Sequence, residues 1–83
     1  MTYTYYAIFS PDTGDPTATS VRFPDIFCGM TCGYGEENTR YMAEDFLRTA
    51  LQFATEQCKT PTPEEKLRAL FPDKRIVPIT VDV

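Results

Sequence analysis

Polar and apolar residues alternate from Tyr3 to Ser10, with Tyr3, Tyr5, Ala7 and Phe9 on one side and Thr4, Tyr6 and Ile8 on the other. Aromatic and β-branched side chains at a two-residue period predict a strand. The run Pro11-Asp12-Thr13-Gly14-Asp15-Pro16 reads as a loop, because Pro lacks the amide proton a ladder needs and Asp and Gly favour turns. Alternation resumes from Thr17 to Phe23, with Thr17, Thr19, Val21 and Phe23 opposed to Ala18, Ser20 and Arg22. These two segments predict an antiparallel hairpin with a long loop. Pro24-Asp25 ends the second strand. Phe27 to Cys32 predicts a short third strand before Gly33-Tyr34-Gly35, where two glycines permit positive φ.

From Glu36 the period lengthens to that of a helix. Met42, Phe46, Ala50, Phe53 and Ala54 form one stripe, widened by Ala43, Leu47 and Leu51, while Glu37, Arg40, Glu44, Arg48 and Glu56 occupy the other face. Glu44 and Arg48 have the spacing of an i,i+4 ion pair, and Glu36 and Glu37 suit the positive end of the helix dipole. The helix is expected to run to about Cys58, with Thr60-Pro61-Thr62-Pro63 as its stop. Thr62 and Glu65 have capping-box spacing, so a short second helix is expected over Pro63–Leu70. Arg75 to Val83 alternates once more, and Pro78 assigns that strand to a sheet edge. The expected class is α+β in the order β-β-β-α-(α)-β: a three-stranded antiparallel meander, a long helix packed on one face, and a fourth edge strand laid parallel beside the first by a right-handed crossover.

Eighty-three residues make one small domain with a thin core. Eleven Phe and Tyr supply enough apolar area to exclude disorder. No apolar run approaches a bilayer span and the first ten residues contain no basic segment, so a cytoplasmic protein is expected. The net charge of −4 disfavours general nucleic-acid binding and favours a basic protein partner. With no histidine, the commonest general base and metal ligand is missing, and an enzyme is the least expected class. Asp12, Asp25, Asp45 and Asp82 do not converge in the pattern a magnesium site needs, since the first strand carries no carboxylate between Tyr3 and Ser10. Three cysteines, Cys28, Cys32 and Cys58, fall short of a zinc set and read as structural. Gly33-Tyr34-Gly35 lacks the longer glycine signature and lysine of a phosphate loop. No cofactor and no metal are expected.

Several stretches are nevertheless distinctive in combination. Tyr5-Tyr6-Ala7-Ile8-Phe9 with Pro11-Asp12, Phe23-Pro24-Asp25-Ile26, Thr31-Cys32-Gly33, Glu37, and Met42-Ala43-Glu44-Asp45 with Leu47 resemble, in this order, the motifs of the HicB antitoxin family. Thr60-Pro61-Thr62-Pro63 is similar to the family's Pro-Thr-Pro-Ser segment, and Val77 to Val83 to its closing strand. The resemblance implies a single HicB-like domain over residues 1–83, with a partly degraded ribonuclease-H-like fold that lacks the nuclease carboxylates. It also implies a partner: a small basic ribonuclease toxin of the HicA type, whose access to RNA such antitoxins block. The helix-turn-helix or ribbon-helix-helix domain that many members carry after this strand has no counterpart in these motifs, so operator DNA binding is not expected. Two stretches depart from the family: Phe27-Cys28-Gly29-Met30 stands where it has Pro-Gly-Cys, and Gly33-Tyr34-Gly35 where it has Gly-Asp-Thr.

The leading expectation is therefore an antitoxin-like homodimer or tetramer that meets its toxin through Asp12, Asp15, Asp25, Glu36 and Glu37. The alternative is a stand-alone RNA-binding or orphan HicB-like protein without a toxin. In that reading Tyr3 and Tyr5 stack bases while Arg22, Arg40 and Arg48 contact phosphates.

Overall fold

The computed structural model describes residues 1–27 and 29–83. Strands β1 (Thr2–Pro11), β2 (Thr19–Arg22) and β3 (Met30–Gly33) form an antiparallel meander. Helix α1 (Glu36–Phe53), a 3₁₀ turn (Thr55–Gln57) and helix α2 (Glu64–Leu70) follow, and β4 (Arg75–Asp82) completes a four-stranded sheet in the order β3-β2-β1-β4. The sheet has two layers on it. Tyr5, Ala7, Phe9, Val21, Val77, Ile79 and Val81 face Ala43, Leu47 and Ala50 of α1 in one core cluster. The alternate residues Ile8 and Ile76 face Leu67 of α2 in a second cluster, flanked by Tyr6 and Phe71. Because side chains alternate along a strand, the two helices cover opposite faces.

β4 runs antiparallel to β1, pairing Thr2 with Asp82 and Phe9 with Arg75, which corrects the parallel placement expected from the sequence. The reason is α2. One helical traverse from β3 would bring the chain back ready to run alongside β1, but residues 59–74, α2 among them, carry it along the sheet a second time, on the other face. The chain changes faces where β2 stops. There Ile26 bridges Cys58, Phe27 N–H donates to the Gln57 carbonyl, and Lys59 N–H donates to the Asp25 carbonyl. Tyr5 adds a 2.7 Å hydroxyl bond to the Lys59 carbonyl, and burial pushes its pKa above the usual tyrosine value.

Other boundaries moved for local reasons. β2 begins two residues later than its alternation suggests because the loop is closed by Ala18, through Asp12 N–H to the Ala18 carbonyl and Ala18 N–H to the Asp15 carbonyl. β3 begins at Met30 rather than Phe27, and Cys28 lies outside the described residues. The stripe of α1 that reaches the core is Thr39, Ala43, Leu47 and Ala50, so Phe53 is turned outward and 80% exposed. Its i,i+4 pair is Glu36–Arg40 at 2.9 Å, and Glu44–Arg48 does not form. The Thr62 capping box does not form either: α2 has no side-chain cap, and the Thr62 hydroxyl is engaged by Asp25.

Of the two glycines before α1, only Gly35 uses positive φ, at 81°. Gly33 is required by close approach, since a Cβ there would lie 2.5 Å from Thr39 Cα. Its absence lets α1 seat directly on β3, and Thr39, 1% exposed, returns its hydroxyl to the Gly35 carbonyl at 2.6 Å. Pro78 does lie on an edge strand. Met1 and Val83 exchange two main-chain bonds, so odd-numbered β1 residues bond to β4 and the even positions of β4 point away from it. Pro78 is one of those even positions, where its missing N–H removes no ladder bond. Among the described residues no helix is long and apolar enough to cross a membrane.

Candidate functional site

The turn chemistry read from the sequence assembles one end of the molecule. Asp12 Oδ2 accepts the amides of Gly14 and Asp15 at 3.0 and 2.8 Å, and Asp15 Oδ1 accepts the Thr17 amide at 3.0 Å and hydroxyl at 2.7 Å. These bonds fold the β1–β2 loop back toward the β3–α1 turn. There Tyr34 donates its hydroxyl to Asp15 Oδ2 at 3.3 Å and its amide to Asn38 Oδ1 at 2.9 Å. Glu36 follows at the start of α1. Arg75 grips its carboxylate with both terminal nitrogens, at 2.8 and 2.6 Å, and Arg40 adds Nε at 2.9 Å. The Arg75 guanidinium also lies over the Phe9 ring, 5.3 Å from its centroid. Glu37, fully outward, has no partner among the described residues.

The result is an acidic surface with two tyrosines in it. Asp12, Asp15, Glu36 and Glu37 meet Arg40 and Arg75, and Asp73 and Lys74 stand beside Arg75, so five carboxylates oppose three cations. Tyr34, 57% exposed, and Tyr41, 63% exposed, border an open depression with Gly35, Glu36, Glu37 and Asn38. The hydrogen bonds favour the charged forms of Glu36 and Asp15. The hydrogen bonds from Arg75 and then Arg40 hold the Glu36 carboxyl down at about 2. Bonds from the Thr17 hydroxyl and amide lower Asp15, and the Asp15 carboxylate raises the Tyr34 hydroxyl. Such a surface is suited to charge-assisted docking rather than to proton transfer. Among the described residues no three His, Cys, Asp or Glu side chains are grouped to hold a metal.

Four of the five expected partner-binding residues therefore lie together. The fifth does not. Asp25 sits at the far end of the sheet, 8% exposed, with Oδ1 accepting the Thr62 hydroxyl at 2.7 Å and Oδ2 the Thr62 amide at 2.8 Å. Its carboxylate ties α2's entry to the end of β2 and faces inward.

The alternative nucleic-acid set is not brought together. Tyr5 is 5% exposed and lies in the α1-side core, so it cannot stack a base. Tyr3 is half-buried on the same side. Arg22, on β2, pairs in register with Ile8 and so projects from the opposite face of the sheet to Arg40 and Arg48 of α1.

The sequence reading missed the two tyrosines that complete the acidic end. Tyr34 sits between glycines and Tyr41 on the outer side of α1; aromatic residues at positions the core does not use were the available signal. No protein-family model matches this chain, and neither a curated protein nor a solved structure does.

Proposed function

We propose that this chain is an antitoxin-like inhibitor that acts by binding, not catalysis, and that its partner is a small basic ribonuclease of the HicA type. The observation that carries this reading is the convergence of Asp12 and Asp15, from the β1–β2 loop, with Glu36 and Glu37 beside Tyr34 and Tyr41, from the β3–α1 turn and the start of α1. Preformed carboxylates beside exposed aromatic rings match the chemistry that binds an arginine- and lysine-rich surface: charge to steer the encounter, rings for stacking and cation–π contact. A ribonuclease surface that recognises phosphates offers that complement. The order of HicB-like motifs along the chain supports the choice of toxin class.

The test is titration of the purified chain into a HicA-type ribonuclease while cleavage of a labelled RNA is followed. Stoichiometric inhibition is expected, weakening at least about 10-fold when salt is raised from about 50 to about 500 mM. Glu37→Gln with Tyr41→Ala should weaken it further with little change in the melt, because both side chains are exposed and neither packs in the core. Full inhibition that is indifferent to both salt and these substitutions would place the docking surface elsewhere. No inhibition at micromolar protein, together with a gel shift of the RNA by the chain alone, would replace the reading with direct RNA binding.

A further inference from the structure

The two edges of the sheet are unlike. The β4 edge is interrupted by Pro78 and carries Arg75 and Asp82 at its ends, devices that discourage another strand from adding there. The β3 edge has none of these. Phe23 N–H donates to the Gly29 carbonyl at 2.8 Å, so in the β2–β3 register the odd residues bond to β2. Met30 and Cys32 then direct their N–H and C=O groups away from the sheet, and both residues are exposed.

Apolar surface is gathered around the same edge. Phe27 and Met30, 70% and 63% exposed, lie just before and at the start of β3. Phe53 of α1, 80% exposed, shares with Phe27 a 230 Å³ groove floored by Ile26, Phe46 and Ala50. These three exposed side chains offer about 400 Å² of largely apolar area, half of the about 800 Å² per partner that a stable interface covers. None of these residues is charged, in a chain that is 24% charged.

We infer that the β3 edge pairs with the β3 edge of a second copy of this chain, joining two sheets into one of eight strands. Self-pairing follows from the geometry of the strand. A two-fold axis through Thr31 sets Met30 of each copy opposite Cys32 of the other, and the four outward groups on each side satisfy one another in four main-chain hydrogen bonds. Charge argues for the same occupant. Two chains of net −4 repel, and the β3 edge, with no acidic residue in Met30–Gly33 and Arg22 across from Met30, is where that repulsion opposes contact least; a basic partner would instead be drawn to the acidic end. The Pro78 edge cannot continue the pairing, so the assembly closes as a dimer.

Sedimentation over about a 100-fold concentration range tests this. The expected mass is twice 9.4 kDa. Cys32→Pro removes an outward N–H while sparing the bonds to β2, and with two of the four bonds lost it should weaken the dimer about 50-fold. Met30→Lys should give monomer, and Leu70→Lys on α2 should leave the dimer intact. In the unmodified chain, amide exchange at Met30 and Cys32 should slow as concentration rises, a readout that needs no variant to fold. A monomer at every concentration overturns the inference. So does a dimer that Met30→Lys leaves intact, or one whose Met30 and Cys32 amides stay unprotected. None of these results touches ribonuclease inhibition, which is tested through Glu37 and Tyr41 of α1.

Discussion

Replacing Asp25 by Ala removes both bonds that hold Thr62 and leaves the Thr62 amide without its acceptor. Hydrogen bonds to a carboxylate contribute about 1.5–3 kcal/mol each, and at 8% exposure little water reaches the gap. Some entry of solvent is still expected, so the combined loss should be about 3 kcal/mol. For a domain of this size that lowers the melting temperature by about 15 °C. Two further variants separate charge from shape. In Asp25→Asn the amide oxygen still accepts from Thr62 N–H, and the Thr62 hydroxyl turns to accept from the new NH₂, so only charge assistance is lost, at about 1 kcal/mol. Thr62→Val removes one bond and should cost about 1.5 kcal/mol. Urea unfolding of the four proteins of the Asp25→Ala/Thr62→Val cycle gives the coupling directly. Because the Asp25 bond is the same one, Thr62→Val should cost almost nothing once Asp25 is Ala. Fully additive effects, or a loss below about 0.5 kcal/mol for Asp25→Ala, would refute the view that this carboxylate holds α2 against the sheet.

Other substitutions probe other joints. Gly33→Ala places a Cβ 2.5 Å from the Thr39 backbone, so α1 must lift from β3, and chemical denaturation should show a loss of about 3 kcal/mol or more. Gly35→Ala meets open space but must adopt φ of 81°, so backbone strain alone should cost about 1–3 kcal/mol. Glu36 has a folded pKa of about 2, below its ordinary 4.5. Its contribution is therefore complete above pH 4.5 and disappears as pH falls toward 2, and Glu36→Gln should flatten that part of a stability-against-pH curve measured by denaturant midpoint.

The strands and helices were legible because their periods are local properties. Tyr5, Ala7 and Phe9 share a face whatever surrounds them, and Pro78 marks an edge by its own chemistry. The direction of β4 was not legible, since it depends on α2 making a second traverse on the far face, and seven residues with one buried Leu67 carry little periodic signal. Phe53 was misplaced for a related reason. By spacing it continues the Met42–Phe46–Ala50 stripe, but the core lies about Thr39, Ala43 and Leu47, and a buried Thr is invisible to a search for apolar positions. At the site, Asp12, Asp15, Glu36 and Glu37 were identified by type and position, whereas Asp25 looked the same in sequence and differs because Thr62, thirty-seven residues away, turns it inward.

β1 lies inside the sheet in space but is the first of its four strands along the chain. Its most extensive pairing is with β4, whose residues come last, so the contacts between Thr2–Phe9 and Arg75–Asp82 span most of the sequence. Contacts this distant make for slow, late closure. Until β4 arrives, the main-chain N–H and C=O groups of Tyr3, Tyr5, Ala7 and Phe9 along that edge of β1 lack their partners, which is the form most prone to mispairing. Folding of this domain is thus gated by its final eight-residue strand, and any shortage of that strand should be met as aggregation before it is met as lost activity.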